Sequence, residues 1–163
     1  MEARITSAEL GETATFEVSR SLKPGEPAWS NYLRGVVAGC LEQGIDPGGF
    51  DALIISTVPS GGGPSSSAAL EVAAATLVEQ LAGHSLPAKT KAMVCQKAEH
   101  EFANMPCGPM DQFVAVMAPS EDGQLQKKPR CPLLCKPTDA SAGRARVFRW
   151  QSILLDAPMV NLA

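Results

Sequence analysis

Three glycines followed closely by three serines, in Pro59-Ser60-Gly61-Gly62-Gly63-Pro64-Ser65-Ser66-Ser67-Ala68, are the residues of this chain best suited to hold a phosphate. Glycines let backbone come close to a ligand, and serine hydroxyls can bond phosphate oxygens or, in one case, ligate Mg²⁺. Two carboxylates further on could complete such chemistry. Asp111 follows the rigid turn Pro106-Cys107-Gly108-Pro109, where it could face a cleft as a general base; the plainer reading is a helix cap or dipole partner. Glu99 lies near the border of an apolar stripe and is half-buried on that reading, a solvated glutamate on the usual one. Trp29, just inside a helix start, reads as a core anchor, and His84 and His100 carry no assignment.

These residues need elements to place them. Asp51 to Val58 is rich in β-branched residues and reads as a buried strand, while Ser65 to Ala82 has helical periodicity. The glycine loop therefore ends at a helix N-terminus, whose free N–H groups and dipole favour an anion. Upstream, Met1 to about Ser21 reads as one or two strands, best at Thr13 to Val18, and Ala28 to Gln43 as a helix with Leu33, Val36, Val37, Cys40 and Leu41 on one side. Downstream, Leu70, Ala73, Ala74, Leu77, Val78 and Leu81 form the stripe of the post-loop helix, which Gly83 closes. Ser85 is expected to cap a third helix with the stripe Val94, Cys95, Ala98 and Phe102, and Met110 to Met117 a fourth. Strand, helix, strand, loop and helices make an α+β or two-layer α/β pattern.

With 163 residues, 45% apolar and 19% charged, the chain can build one domain with a core. A net charge of -3 gives no general attraction to nucleic acid or membrane surfaces, and no apolar run is long enough to span a bilayer. With no secretory signal after Met1, the cytoplasm is the expected compartment. Cys40, Cys95 and Cys107 sit in contexts that suit reduced thiols, and Cys131 with Cys135 lacks the second pair that zinc asks for. The composition changes at Pro119: seven Lys/Arg face thirteen Asp/Glu up to residue 118, and seven face four after it. Prolines interrupt 119–163, which reads as irregular chain with one short amphipathic stretch near Val147 to Leu155.

The loop has no lysine for a P-loop and no third glycine for a dinucleotide fingerprint. It resembles instead the phosphate loop of the superfamily of galactokinase, homoserine kinase, mevalonate kinase and phosphomevalonate kinase (GHMP kinases). Trp29-Ser30-Asn31-Tyr32-Leu33-Arg34-Gly35, and the stretch from Ala98-Glu99-His100 to Asn104-Met105-Pro106-Cys107-Gly108-Pro109-Met110-Asp111-Gln112-Phe113, narrow the resemblance to galactokinases, from about Leu22 to Met117. The resemblance implies the central part of a GHMP-kinase fold, with residues 1–118 a partial N-terminal domain, its phosphate loop at 59–68, and 119–163 a divergent tail. It implies ATP and Mg²⁺ as cofactors and transfer of the terminal phosphate to O1 of galactose. Gly61, Gly62, Gly63, Ser65, Ser66 and Ser67 would then hold the nucleotide phosphates, with Trp29 near the adenine. Ser67 and Glu99 would hold Mg²⁺, Asp111 would serve as base or electrostatic stabiliser at the anomeric hydroxyl, and Gly108 would let backbone approach the sugar. Full-length members of the family are expected to be monomers.

The chain departs from the family at Pro64 and Pro109, where aliphatic residues are usual; each removes an N–H. Pro64 is expected to stiffen the loop and reduce nucleotide affinity, whereas Pro109 either holds the turn or twists Asp111 off target. The Arg-Val-Asn-Leu-Ile-Gly-Glu-His-Thr-Asp-Tyr stretch that binds the sugar in galactokinases has no counterpart here, and the resemblance ends after Met117. The expectation is therefore a piece of a galactokinase that does not turn over by itself. Rival readings are a non-catalytic galactose or ATP sensor of the same family, against which the full-length loop argues, and an N-acetylgalactosamine kinase.

Overall fold

The computed structural model describes residues 1–56, 66–117, 133–137 and 146–148. Strands β1 (Glu2–Ser7) and β2 (Glu12–Glu17) form an antiparallel hairpin, and β3 (Phe50–Ile54) lies parallel to β1, so that Ala3 faces Phe50 and Ser7 faces Ile54. Side chains on these strands alternate as period two requires. Ala3, Ile5, Ala14, Phe16, Phe50, Ala52 and Ile54 point into the core. On the other face Arg4 pairs with Asp51 at 2.9 Å and the hydroxyls of Thr6 and Thr13 meet at 2.9 Å.

Four helices follow from the apolar stripes: α1 (Asn31–Glu42), entered through a 3-10 turn at Ala28–Ser30, α2 (Ser66–Ala82), α3 (Ala88–Glu101) and α4 (Met110–Met117). The five stripe residues of α1 are all buried, as are Ala73, Ala74, Leu77 and Val78 of α2 and Val94, Cys95 and Ala98 of α3. Helix α1 packs most extensively on α3, and glycines permit it: a Cβ on Gly35 would lie 2.7 Å from the Ala98 backbone, and one on Gly39 2.7 Å from Val94. Gly83 takes the left-handed conformation (φ +69) just past α2, the usual way to end a helix. Together the sheet and the helices against its inner face make an α+β arrangement.

Two expectations change. Ser85 does not cap α3; Pro87 occupies the cap position with extended backbone and no side-chain cap bond, and the Leu86 N–H instead donates to Glu79 Oε1 at 2.7 Å. Proline suits that position because a helix's first N–H groups have no partner inside it. Within 119–163, read from composition as irregular, Leu133–Pro137 (β4) and Arg146–Phe148 (β5) are strands; β4 pairs antiparallel with β3, and β5 with β4, completing the sheet order β2-β1-β3-β4-β5. Backbone N–H and C=O groups along the edge of β3 accept a neighbour whatever its side-chain pattern, and Pro137 stands at the end of its strand, where a missing donor is tolerated.

Candidate active site

Helix α2 brings the serine-rich stretch to the site. Ser66 and Ser67 occupy its first turn and are half-buried; Gly61, Gly62, Gly63, Pro64 and Ser65 lie outside the described residues. One turn on from Ser67, on the same face, comes Glu71, with no exposed surface (0%). A carboxylate there is costly: burial first, and the charge of Glu99 second, push the Glu71 carboxyl up to about 9 against the pull of Gln112, so it is a neutral acid at pH 7.

Glu99 belongs to α3 and is buried (6% exposed), which settles its place against the solvated reading. Gln112 of α4, 1% exposed, joins the two glutamates: its Nε2 donates to Glu99 Oε2 at 2.6 Å and toward Glu71 Oε2 at 3.2 Å. The Cys107 thiol donates to the same Glu99 Oε2 at 3.2 Å. Burial and that bond raise the thiol to about 11, so it remains a donor. Both contacts fall on Oε2, and among the described residues Oε1 of Glu99 takes no part in the cluster. Tyr32 of α1 lies within its field: burial, then Glu99 and Glu71, raise its phenol.

Asp111 precedes Gln112 and sits in the first turn of α4, where the helix dipole favours its charge. A step of about 100° round the helix separates the two, so Gln112 points inward while Asp111 is exposed. Pro109 does not disturb this: its carbonyl accepts the Phe113 N–H at 3.0 Å, which opens α4, and its missing N–H falls outside the helix. Behind it, His100 Nε2 lies 2.7 Å from the Cys107 carbonyl and 3.1 Å from the Cys107 N, and Gln96 donates to that carbonyl at 3.2 Å. Gly108 is exposed, with open space where a Cβ would be. Ser67, Glu99 and the first turn of α4 are thus linked through two buried side chains, Glu71 and Gln112, that the sequence reading passed over. Trp29 belongs to a different neighbourhood. It packs on the core and its Nε1 donates to Glu12 of β2 at 2.7 Å.

A serine hydroxyl such as that of Ser67 and a carboxylate such as that of Glu99 are oxygen donors of the hard type that suits Mg²⁺, an ion that also keeps waters and phosphate oxygens. Among the described residues no three His, Cys, Asp or Glu converge to hold a metal by themselves, so a cation here would depend on phosphate oxygens as well. Nor, among them, is any helix long and apolar enough to cross a membrane.

Known proteins resemble this chain in sequence and in fold. Human galactokinase is 51% identical over 98 residues, which are 60% of this chain and 24% of that protein. Among solved structures, Lactococcus lactis galactokinase complexed with galactose superposes with a TM-score of 0.65 at 25% identity, over 91% of this chain and 36% of that one. Methanococcus jannaschii mevalonate kinase, at 15% identity and a TM-score of 0.63 over 89% of this chain and 41% of that one, shares the fold. The chain thus spans about a quarter of the human relative's length. The family model of the GHMP kinases N terminal domain matches residues 31–118, and with the first turn of α2, Glu99 and Asp111 all inside that match, the chain belongs to the GHMP kinase family, with galactokinases as its relatives.

Proposed function

We propose that this chain carries the nucleotide-binding and proton-accepting part of a galactokinase, an ATP-dependent transfer of phosphate to O1 of galactose. The observation that supports it most is the single buried hydrogen-bond cluster through which α2, α3 and α4 hold together the first turn of α2, Glu99 and the turn bearing Asp111. Phosphoryl transfer asks for such an arrangement: a held terminal phosphate, a cation beside it and a carboxylate at the acceptor hydroxyl. On this reading Gly61, Gly62, Gly63, Ser65 and Ser66 cradle the phosphates, Ser67 and Glu99 hold Mg²⁺, and Gly108 gives the sugar room. Magnesium, when bound, neutralises charge on the phosphates. Asp111 accepts the proton of the O1 hydroxyl as that oxygen bonds to phosphorus and the bond to the ADP oxygen breaks. Trp29 is the weakest member of the set, because its indole N–H is already spent on Glu12. Residues 1–118 form a partial N-terminal domain on this reading, in the cytoplasm, with galactose and MgATP as its small-molecule partners and with no turnover by itself.

Thermal unfolding of the chain with and without MgATP tests this. At about 100 times its dissociation constant a ligand of the folded state adds roughly 2.7 kcal/mol. The reading expects MgATP to raise the transition, Glu99→Gln to remove most of that rise, and Asp111→Asn, which changes the proton acceptor and no phosphate contact, to keep it. No rise in the unsubstituted chain, or an equal rise in Glu99→Gln, would sink it.

A further inference from the structure

We propose that Gln112 is a positioning residue that sets the two carboxylates of the site at once, turning Glu99 Oε1 toward the metal-bound phosphates and Asp111 outward toward the acceptor. This rests on the reading of Glu99 and Asp111 given above. A primary amide has two N–H donors and one carbonyl acceptor, and at Gln112 both donors face carboxyl oxygens, Glu99 Oε2 at 2.6 Å and Glu71 Oε2 at 3.2 Å. The amide cannot be turned over, because its oxygen would then meet Glu99 Oε2 at 2.6 Å. That choice leaves the Gln112 Oε1 buried with no partner, and the Glu71 Oε1 likewise. Buried polar atoms without partners are rare, and apolar side chains at both positions 71 and 112 would have avoided them. The orphaned oxygens are therefore a stability sacrifice, and what it secures is the short bond to Glu99.

That bond has two consequences. Glu99 can rotate its carboxylate only by breaking its contacts with Gln112 and Cys107, so Oε2 is occupied and Oε1 is the oxygen left to a cation. Meanwhile Gln112 locks the rotation of α4 about its own axis, which fixes the direction taken by Asp111 one residue earlier. Glu71 is suited to its share because it is uncharged: it accepts from Gln112 without adding a second negative charge beside Glu99. Ligand carboxylates held by hydrogen-bonding neighbours commonly lose 10- to 100-fold in metal affinity when the neighbour is removed.

The test is the Mg²⁺ dependence of ATP binding, read as the Mg²⁺ concentration that gives half of the full ATP-induced rise in melting temperature. Gln112→Met keeps the length and loses both donors. It is expected to raise that concentration about tenfold or more, whereas Lys91→Met, which disrupts an ion pair elsewhere in the core, lowers the melting temperature and leaves the Mg²⁺ midpoint where it was. Should Gln112→Met give no cooperative transition, Gln112→Leu, which lacks both donors in a smaller side chain, is measured in its place against the same expectation. An unchanged midpoint in the variant that folds, with Mg²⁺-dependent binding in the unsubstituted chain, overturns the role of Gln112 and leaves the proposed function standing. ATP binding that ignores Mg²⁺ in the unsubstituted chain overturns the assignment of Glu99, and the positioning role with it.

Discussion

A neutral glutamic acid in the middle of a helix core leaves a measurable trace on stability. Glu71 has a folded-state pKa of about 9, whereas in the unfolded chain its carboxyl titrates near the ordinary value of 4.5. Between those two values the folded protein holds a proton that the unfolded chain has lost. Stability must then fall as pH rises: the contribution is complete below about 4.5 and declines until the pH passes 9, with a slope of roughly 1.4 kcal/mol per pH unit for one proton. Glu71→Gln keeps the shape and the acceptor that Gln112 uses, but it cannot titrate. The stability of the variant relative to the parent should therefore increase by roughly 3 kcal/mol from pH 6 to pH 8. In a chain of this size each kcal/mol moves the melting temperature by about 2–4 °C, so the gap between the two curves should widen by roughly 6–11 °C over that interval.

The pH window matters, because thiols also contribute outside it. Cys107 is raised to about 11 and Cys40 to about 12, while an unfolded thiol titrates near 8.5, so above pH 8 they add a slope of the same sign. Differential scanning calorimetry of both chains at pH 6, 7 and 8 isolates Glu71, since every other group is common to them. Parallel melting curves, or a gap that closes with rising pH, would mean that Glu71 is ionised in the fold and that Gln112 bridges two anions, against the reasoning above.

Two further substitutions probe the packing that supports the site. Gly35→Ala should destabilise the chain by about 1–3 kcal/mol in urea titrations, although alanine is the better helix former, because its methyl meets the backbone of Ala98 at 2.7 Å; Gly39→Ala should cost less, since it meets only the Val94 side chain. Lys91→Met strips the partner at 2.6 Å from Glu79, whose side chain is 3% exposed, and should cost about 3–5 kcal/mol, of which the double variant with Glu79→Gln recovers a part in the same titration.

Much of this architecture was legible in the order of residues. The stripe of α1, the break at Gly83 and the start of α4 after Pro109 follow from periodicity and backbone chemistry, and the resemblance drew attention to Ser67, Glu99 and Asp111. The residues between them were missed for a definite reason. A polar side chain in a helix most often lies on the solvent face, and periodicity alone gives Glu71, Glu79 and Gln112 no role in the core. Helix α2 carried a contrary signal: with Ala68, Ala69, Val72, Ala73, Ala74, Ala75, Leu77 and Val78 all buried, it is apolar nearly all round. A helix of that kind is covered on every side, so its glutamates had to find partners inside the protein. Each did so from another helix, Glu79 from Lys91 at the start of the next one and Glu71 from Gln112, forty-one residues away. Nothing local could have named Gln112 as the partner of Glu71. Strands β4 and β5 escaped for the converse reason, since a sheet edge recruits backbone without asking for a side-chain pattern.

The buried polar pairs also solve a problem that the apolar stripes leave open. Alanine, valine and leucine at helical spacing pack tolerably in more than one register, because a shift of one turn replaces one small apolar contact by another. Hydrogen bonds do not slide in this way: moving α4 by a turn, about 5.4 Å, takes Gln112 out of reach of both glutamates and strands three polar side chains in the core. The Glu79–Lys91 pair imposes the same condition on α2 against α3. Each pair thus contributes little or nothing to net stability compared with an apolar substitute, yet makes every alternative packing expensive. For the proposed site, whose parts come from three helices, this is the property that counts, because Ser67, Glu99 and Asp111 share no segment of chain and can only be held in mutual register by what lies between them.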